Sequence, residues 1–409
     1  MAVGLGLLLV GGVVGGYLVF GTPAGAGRAP VRSGEQGPHG AGGELVTPWA
    51  VTLGGTRSRV HPAAACSWQA GALYCSGPGL TAARLNPADG SLAWSLPAPA
   101  PAARTTESGA PLHAGGLVLA VAAGGDLLQA LDPATGAERW KRKLPQGAKV
   151  VPAGPYALVA GVDGSVTGLD AATGGQRWAK RIGDGAALWC AGPEQPGSGP
   201  PVLYAAAQAA DGASTQVMEV DPATGAVRRQ VRAAGLVEPV GVAQGGLYLL
   251  ESDKASLAVA VVRMDLGGGG RPGMRRTPLS APLLQAQAAV DADGAVYVFG
   301  TSGALVAVRW EPDREERGRE EWRLETGMTV ASRPVPSGGR VYLSAPDGRL
   351  VAVDAGSRRL VGQTKPRMAD GQNTYAAALA APVVVGGRVF ATAPDGTVFA
   401  VPADQPEGW

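Results

Sequence analysis

The chain has 409 residues, of which 45% are hydrophobic and 17% charged, with a formal net charge of +2. That length supplies ample apolar surface for a buried core, and a near-neutral balance with no basic stripe argues against nucleic acid as a partner. Three Cys and three His are too few and too scattered for a metal cluster, so no metal ligand is nominated.

From Ala2 to Phe20 there is no charged residue, a run just long enough to cross a bilayer as a helix. Residues 1–22 are therefore expected to be a transmembrane anchor. The rival reading is a signal peptide cut near Ala26, where Ala24-Gly25-Ala26 offers small residues. The apolar run is longer than a usual signal core and lacks a basic leader, which favours the anchor and suggests a start upstream of Met1. Arg28 and Arg32, read by charge alone, would hold the following flank inside; the disulfide argued below sets the bulk of the chain outside instead. Gly11 with Gly15, and Gly12 with Gly16, have the small-residue spacing of paired membrane helices. Residues 23–44, rich in Gly, Pro and Ala without periodicity, read as a flexible stalk.

Past the stalk, Pro48-Trp49-Ala-Val-Thr-Leu53 reads as a short strand that carries a Trp and lies before the first repeat. Cys66 and Cys75 then flank a hairpin. If Ala70-Gly71 is its two-residue loop, Gln69 pairs with Ala72 and the cysteines fall opposite each other. Such a non-hydrogen-bonded pair has Cα atoms ~4.5 Å apart, within disulfide reach. The alternative is two buried free thiols. Cys190 is left unpaired in either case.

A repeat now begins. Ala130-Leu-Asp132-Pro-Ala-Thr135-Gly136-Ala-Glu-Arg-Trp140 returns as Gly168-Leu-Asp170-Ala-Ala-Thr173-Gly174-Gly-Gln-Arg-Trp178. Weaker copies are Asn86 with Gly90 and Trp94, and Asp221 with Thr224 and Gly225, where Arg229 stands in the Trp position. Each copy is strand, tight turn, strand: the acidic side chain bonds turn amides, and Gly takes the φ > 0 site. The Trp on the outgoing strand needs a neighbouring unit to bury it. The anchors Asn86, Asp132, Asp170, Asp221, Asp265 and Asp354 are 46, 38, 51, 44 and 89 residues apart, the last about two periods. A 40–50-residue period of strands without helices describes a propeller blade.

The first half of each unit is an apolar strand, a Gly-rich turn and a second apolar strand, as in Gly338-Gly339-Arg-Val-Tyr342 and Gly386-Gly387-Arg-Val-Phe390. Eight units follow, starting near Pro62, Pro111, Pro152, Pro201, Pro239, Pro282, Pro334 and Pro382. The last stops after Val401 and lacks its fourth strand, which Pro48–Leu53 can supply, closing the ring. The expected fold is thus an all-β, eight-bladed propeller of four-stranded blades over residues 45–404, after one N-terminal membrane helix and before a tail, 405–409. Seven blades remain the alternative, because units four to six are degenerate.

The Ala-x-Asp-x-x-Thr-Gly-x-x-x-Trp pattern of Ala130–Trp140 resembles the tryptophan-docking motif of the PQQ-like (pyrroloquinoline-quinone repeat) β-propellers, over about residues 46–404. The resemblance implies that Trp49, Asn86, Gly90, Trp94, Asp132, Thr135, Gly136, Trp140, Asp170, Thr173, Gly174, Trp178, Asp221, Thr224, Gly225 and Asp354 lock blades together and catalyse nothing. Quinone enzymes of that group carry an adjacent Cys-Cys pair and acidic calcium ligands, and neither pattern stands here. The branch implied is the non-enzymatic one, which includes the outer-membrane assembly scaffold lipoprotein and bacterial kinase ectodomains. No Cys follows the apolar run before Cys66, and no kinase motif is present.

Other motifs fail on context. Gly268-x-Gly270-x-x-Gly273 lacks the helix a dinucleotide site needs. Asp291-Ala-Asp293-Gly294 starts like a calcium loop, but Ala295 and Tyr297 follow. His39, His61 and His113 are isolated, so no triad is expected. Glu311–Glu321 reads as a solvated insertion of mixed sign. The expectation is a membrane-anchored, extracytoplasmic propeller that binds an envelope protein, a peptide or a small ligand, with no cofactor, no catalytic residue and no nucleic acid. A PQQ-dependent oxidoreductase is the alternative.

Overall fold

The computed structural model describes residues 46–53, 64–77, 79–98, 109–122, 124–192, 200–266, 273–310, 318–368 and 379–409. The expected anchor or signal (1–22) and stalk (23–44) lie outside them. Among the described residues no helix is long and apolar enough to cross a membrane. Val46–Trp409 form one compact unit.

Eight antiparallel sheets of four strands make up this unit, which settles the blade count against seven. Seven blades are continuous in sequence: residues 65–97, 112–143, 149–181, 187–234, 236–284, 287–325 and 335–363, here blades 1 to 7. Blade 8 joins Val383–Val385, Arg388–Thr392 and Thr397–Pro402 to Trp49–Thr52, in the register Trp49 with Ala400 through Thr52 with Thr397. The chain's first strand thereby closes the ring and leaves no gap between blades 8 and 1.

Two expected unit starts are corrected. Blade 4 begins at Ala187, upstream of Pro201, because Leu188-Trp-Cys190 is already its innermost strand. Pro282 belongs to the long outer strand Met274–Leu284 of blade 5 rather than to blade 6. An outer strand tolerates it, since its free edge needs no N–H there. The charged stretch after Trp310 is likewise no insertion throughout: Arg319–Glu325 is the outer strand of blade 6.

Alternation explains why the inner strands read as continuous apolar runs. In Leu117–Val121, Val118 and Ala120 face blade 1 while Leu119 faces blade 3. Each blade is buried on both faces, so period-2 alternation sorts side chains between two neighbours instead of between core and water. The core is correspondingly divided into eight hydrophobic clusters, one per seam.

In the first hairpin, Gln69 pairs with Ala72 around Ala70-Gly71, both at positive φ. Cys66 therefore sits opposite Cys75, with Cα atoms 4.1 Å apart and the sulfurs bonded. Cys190 is free.

Candidate functional site

The motif residues come together at the seams, one blade reaching into the next. In the turn of blade 2, Asp132 Oδ1 accepts from the amides of Ala134 and Thr135 and from Thr135 Oγ1. Arg139, bonded to the same carboxylate, is the chief cause holding it down at about 2. Asp170 with Thr173, and Asp221 with the Ala223 amide, repeat this arrangement. In blade 7, Asp354 accepts from the Ser357 amide. Asn86 caps the equivalent turn in blade 1 through the Ala88 amide.

The preceding blade's Trp docks on the turn so built. Trp49 donates Nε1–H to the Pro87 carbonyl at 2.9 Å, Trp94 to Pro133 at 3.1 Å, Trp140 to Ala171 at 3.0 Å and Trp178 to Pro222 at 3.0 Å. The acceptor is always the residue after the turn's anchor. Each indole lies on the turn's Gly, where a Cβ would come within 2.5–2.7 Å of the ring at Gly90, Gly136, Gly174 and Gly225. These glycines also have φ from +65 to +74°. They are required twice, for the turn and for the close approach.

Three seam devices escape the sequence motif. Arg229, in the Trp position of blade 4, donates Nη1–H to the Leu266 carbonyl at 3.4 Å, the same station by a different donor. Trp322 of blade 6 pairs with Ala307 and lies near Tyr297; its turn lacks the Asp and Thr that would have flagged it. In blade 7 the Trp position is Gly362, and residues 405–409 fill the gap. Pro406 packs over Gly362, while Trp409 stacks on Tyr342 and bonds the Pro402 carbonyl at 2.8 Å. The expected tail is therefore part of the propeller, because an unfilled glycine would leave a void at that seam.

Two polar features occupy inner strands. Ser67 and His113 meet across blades 1 and 2, with Oγ and Nε2 2.8 Å apart. Burial pushes the imidazole down to about 4, and Nδ1 has no partner. A hydrolytic triad would place an acid on Nδ1, and among the described residues none is bonded there. Arg333 reaches across the inner strands, donating Nε–H to the Ala288 carbonyl at 2.8 Å and Nη2–H to Val240 at 2.6 Å. It thereby ties blades 5, 6 and 7 along the central channel. Nearby Cys190 is pushed up by burial to about 12, so its thiol is inert.

In an antiparallel meander successive connections alternate ends, so every second connection emerges on one face of the ring. Among the described residues, five of the eight exposed large hydrophobics lie on the face shared by the connections between blades: Val162, Leu188, Leu284, Val330 and Met368. They form an arc from blade 3 to blade 8. Among the described residues no group of three or more Asp, Glu, His or Cys is placed to hold a metal.

A family model described as outer membrane protein assembly factor BamB matches residues 78–235 and 260–405. No curated protein matches the chain. Among solved structures, BamB from Moraxella catarrhalis is similar at 17% identity and a TM-score of 0.53, over 86% of this chain and 99% of that one. Saccharomyces cerevisiae Sqt1 is similar at 10% identity and a TM-score of 0.61, over 87% and 98%. A complex of KlAtg21 with the coiled coil of AgAtg16 is similar at 9% and 0.56, over 75% and 100%. At such identities these likenesses establish the fold alone.

Proposed function

The chain belongs to the family of the outer membrane protein assembly factor BamB, and from that premise we propose a non-catalytic, extracytoplasmic scaffold that binds a protein partner through its loop face. The observation that carries this reading is the apolar arc of Val162, Leu188, Leu284, Val330 and Met368 on one face of a closed ring. The motif residues are consumed by the seams, so variation is left to the connections, where a rigid scaffold displays binding groups. A disulfide of this kind persists outside the reducing cytoplasm, which supports an outward-facing propeller held at the membrane by residues 1–22. The KlAtg21 complex is a fold neighbour bound to a helical protein segment, a precedent for this use of the architecture.

The test is site-specific photocrosslinking in the native cell at Val162, Leu188 and Met368, with Leu360 on the opposite face as control. Recovery of one membrane or envelope protein from the first three sites and not from Leu360, lost in a Leu188→Asp/Met368→Asp variant, is the expected result. The mass of the N-terminal peptide from the same purification reads whether residues 1–22 are retained. Crosslinks that do not distinguish the faces would overturn the reading. So would purification with a bound quinone chromophore and dye reduction, which would make the protein an oxidoreductase.

A further inference from the structure

Among the described residues, the outer strand of every blade has no further strand beside it and ends its sheet with a row of backbone N–H and C=O groups. Proteins blunt such edges with charge, proline or brevity, because an unguarded edge accepts another strand. Six outer strands here carry charged side chains: Glu138–Lys143, Gln176–Arg181, Val227–Ala234, Met274–Leu284, Arg319–Glu325 and Arg359–Gln363. The two that carry none, Trp49–Thr52 of blade 8 and Leu92–Pro97 of blade 1, are neighbours in the ring. Trp49–Thr52 is blunted by its four-residue length. Leu92–Pro97 has six residues, is guarded by proline only at its last position, and Leu92 is 56% exposed.

A groove of about 410 Å³ lies between these two strands. Val51, Leu80, Leu85 and Leu92 give it apolar walls, Ser91 and Ser95 supply hydroxyls, and no charged residue among the described ones lines it. That volume is near the lower end for ligand pockets and takes a few side chains of a segment, not a folded domain. A charged occupant would be left without a partner there, at a cost that a neutral one avoids.

We propose that Leu92–Pro97 is a strand-addition site for an uncharged, extended segment of a partner protein, which hydrogen-bonds the edge and lays aliphatic side chains in the groove. Main-chain bonding supplies affinity in this mode, and the groove supplies selection. A second copy of this chain fits less well: antiparallel self-pairing sets Leu92 against Pro97 at both ends, so the missing N–H is met twice, where a partner strand without proline meets it once. The site lies on the rim, apart from the loop face, so its test does not depend on the reading above.

The experiment uses the full chain in detergent with acetyl-Thr-Val-Thr-Val-Thr-Val-amide, read by hydrogen exchange and mass spectrometry. Exchange in Leu92–Pro97 slows several-fold, and binding weakens at least tenfold in a Leu92→Lys/Ser95→Lys variant whose melting temperature is retained. The peptide acetyl-Thr-Lys-Thr-Val-Thr-Lys-amide gives no such protection. Protection at another blade's edge, none at millimolar peptide, or equal protection by the lysine peptide would overturn the proposal. A concentration-dependent dimer in sedimentation, abolished by the same variant without peptide uptake, would overturn it in favour of self-pairing.

Discussion

Each indole that crosses a seam does two separable things: it fills the space above a glycine, and it satisfies a carbonyl of the next turn. Trp140→Phe removes the bond to Ala171 while keeping an aromatic ring, though a smaller one, over Gly174, and is expected to lower stability by about 1–2 kcal/mol. Trp140→Ala also empties the seam and is expected to cost about 3 kcal/mol or more. Urea melts of the two variants measure the split, and equal losses would show that the hydrogen bond dominates. These roles were legible because Asp, Thr, Gly and Trp recur at fixed spacing. Arg229 carries no such signal, since a lone arginine on an outer strand reads as a solvated charge until its acceptor, the Leu266 carbonyl, is known.

His113 shows a different residue-scale effect. Its Nε2 meets Ser67 Oγ, Tyr74 lies edge-on to its ring with centroids 5.2 Å apart, and burial lowers its protonation to about 4. An unfolded histidine titrates near 6.5. The unfolded chain thus takes up the proton first, so stability is full above pH ~6.5 and falls as the pH drops toward 4. The loss from this one group is on the order of 3 kcal/mol. Carboxyl groups also take up protons on acidification, so the informative quantity is a difference. His113→Gln is expected to flatten the decline between pH 6.5 and 4, and an unchanged slope would rule out the imidazole as its source.

At the scale of elements, blade 7 shows what replaces a missing motif. Gly362 has no side chain to offer blade 8, and the short 3₁₀ turn Pro406–Gly408 brings Trp409 onto Tyr342 instead. Read as sequence, residues 405–409 look like a polar tail, because five residues carry no periodicity and their partner strand lies far upstream. The outer strand of blade 6 was hidden for a related reason: Arg319 to Glu325 alternate in charge, as a solvated segment does, although Trp322 is buried. Trp409→Ala is expected to cost about 2–4 kcal/mol. It should also speed hydrogen exchange in Arg359–Gln363 more than in the equivalent strand Glu138–Lys143. Uniform acceleration across blades would mean that the C-terminal turn does not serve blade 7 specifically.

For the propeller as a whole, the decisive pairing is between the two ends of the Val46–Trp409 unit. Eight seam clusters of similar make-up would behave as a linear array if the ring were open, with the terminal blade exposing an unguarded face. Trp49–Thr52 prevents this by pairing with Thr397–Ala400, and Trp49 then docks on Pro87 and Gly90, so one short strand completes blade 8 and the last seam together. Closure was readable in the sequence because the last repeat stops one strand short and an orphan Trp strand precedes the first. The binding faces were not, because exposed residues such as Val162 and Met368 obey no spacing and acquire a common face only when the blades are set in a circle. A chain beginning at Val46 retains the closing strand and is expected to unfold in one cooperative transition. A chain beginning at Gly54 loses it, and the first loss should appear as rapid exchange in Arg388–Thr392 and Thr397–Pro402, well before the seams of blades 3 to 5 open. Global unfolding of the shorter chain in a single step at the same denaturant concentration would show that ring closure contributes nothing to stability.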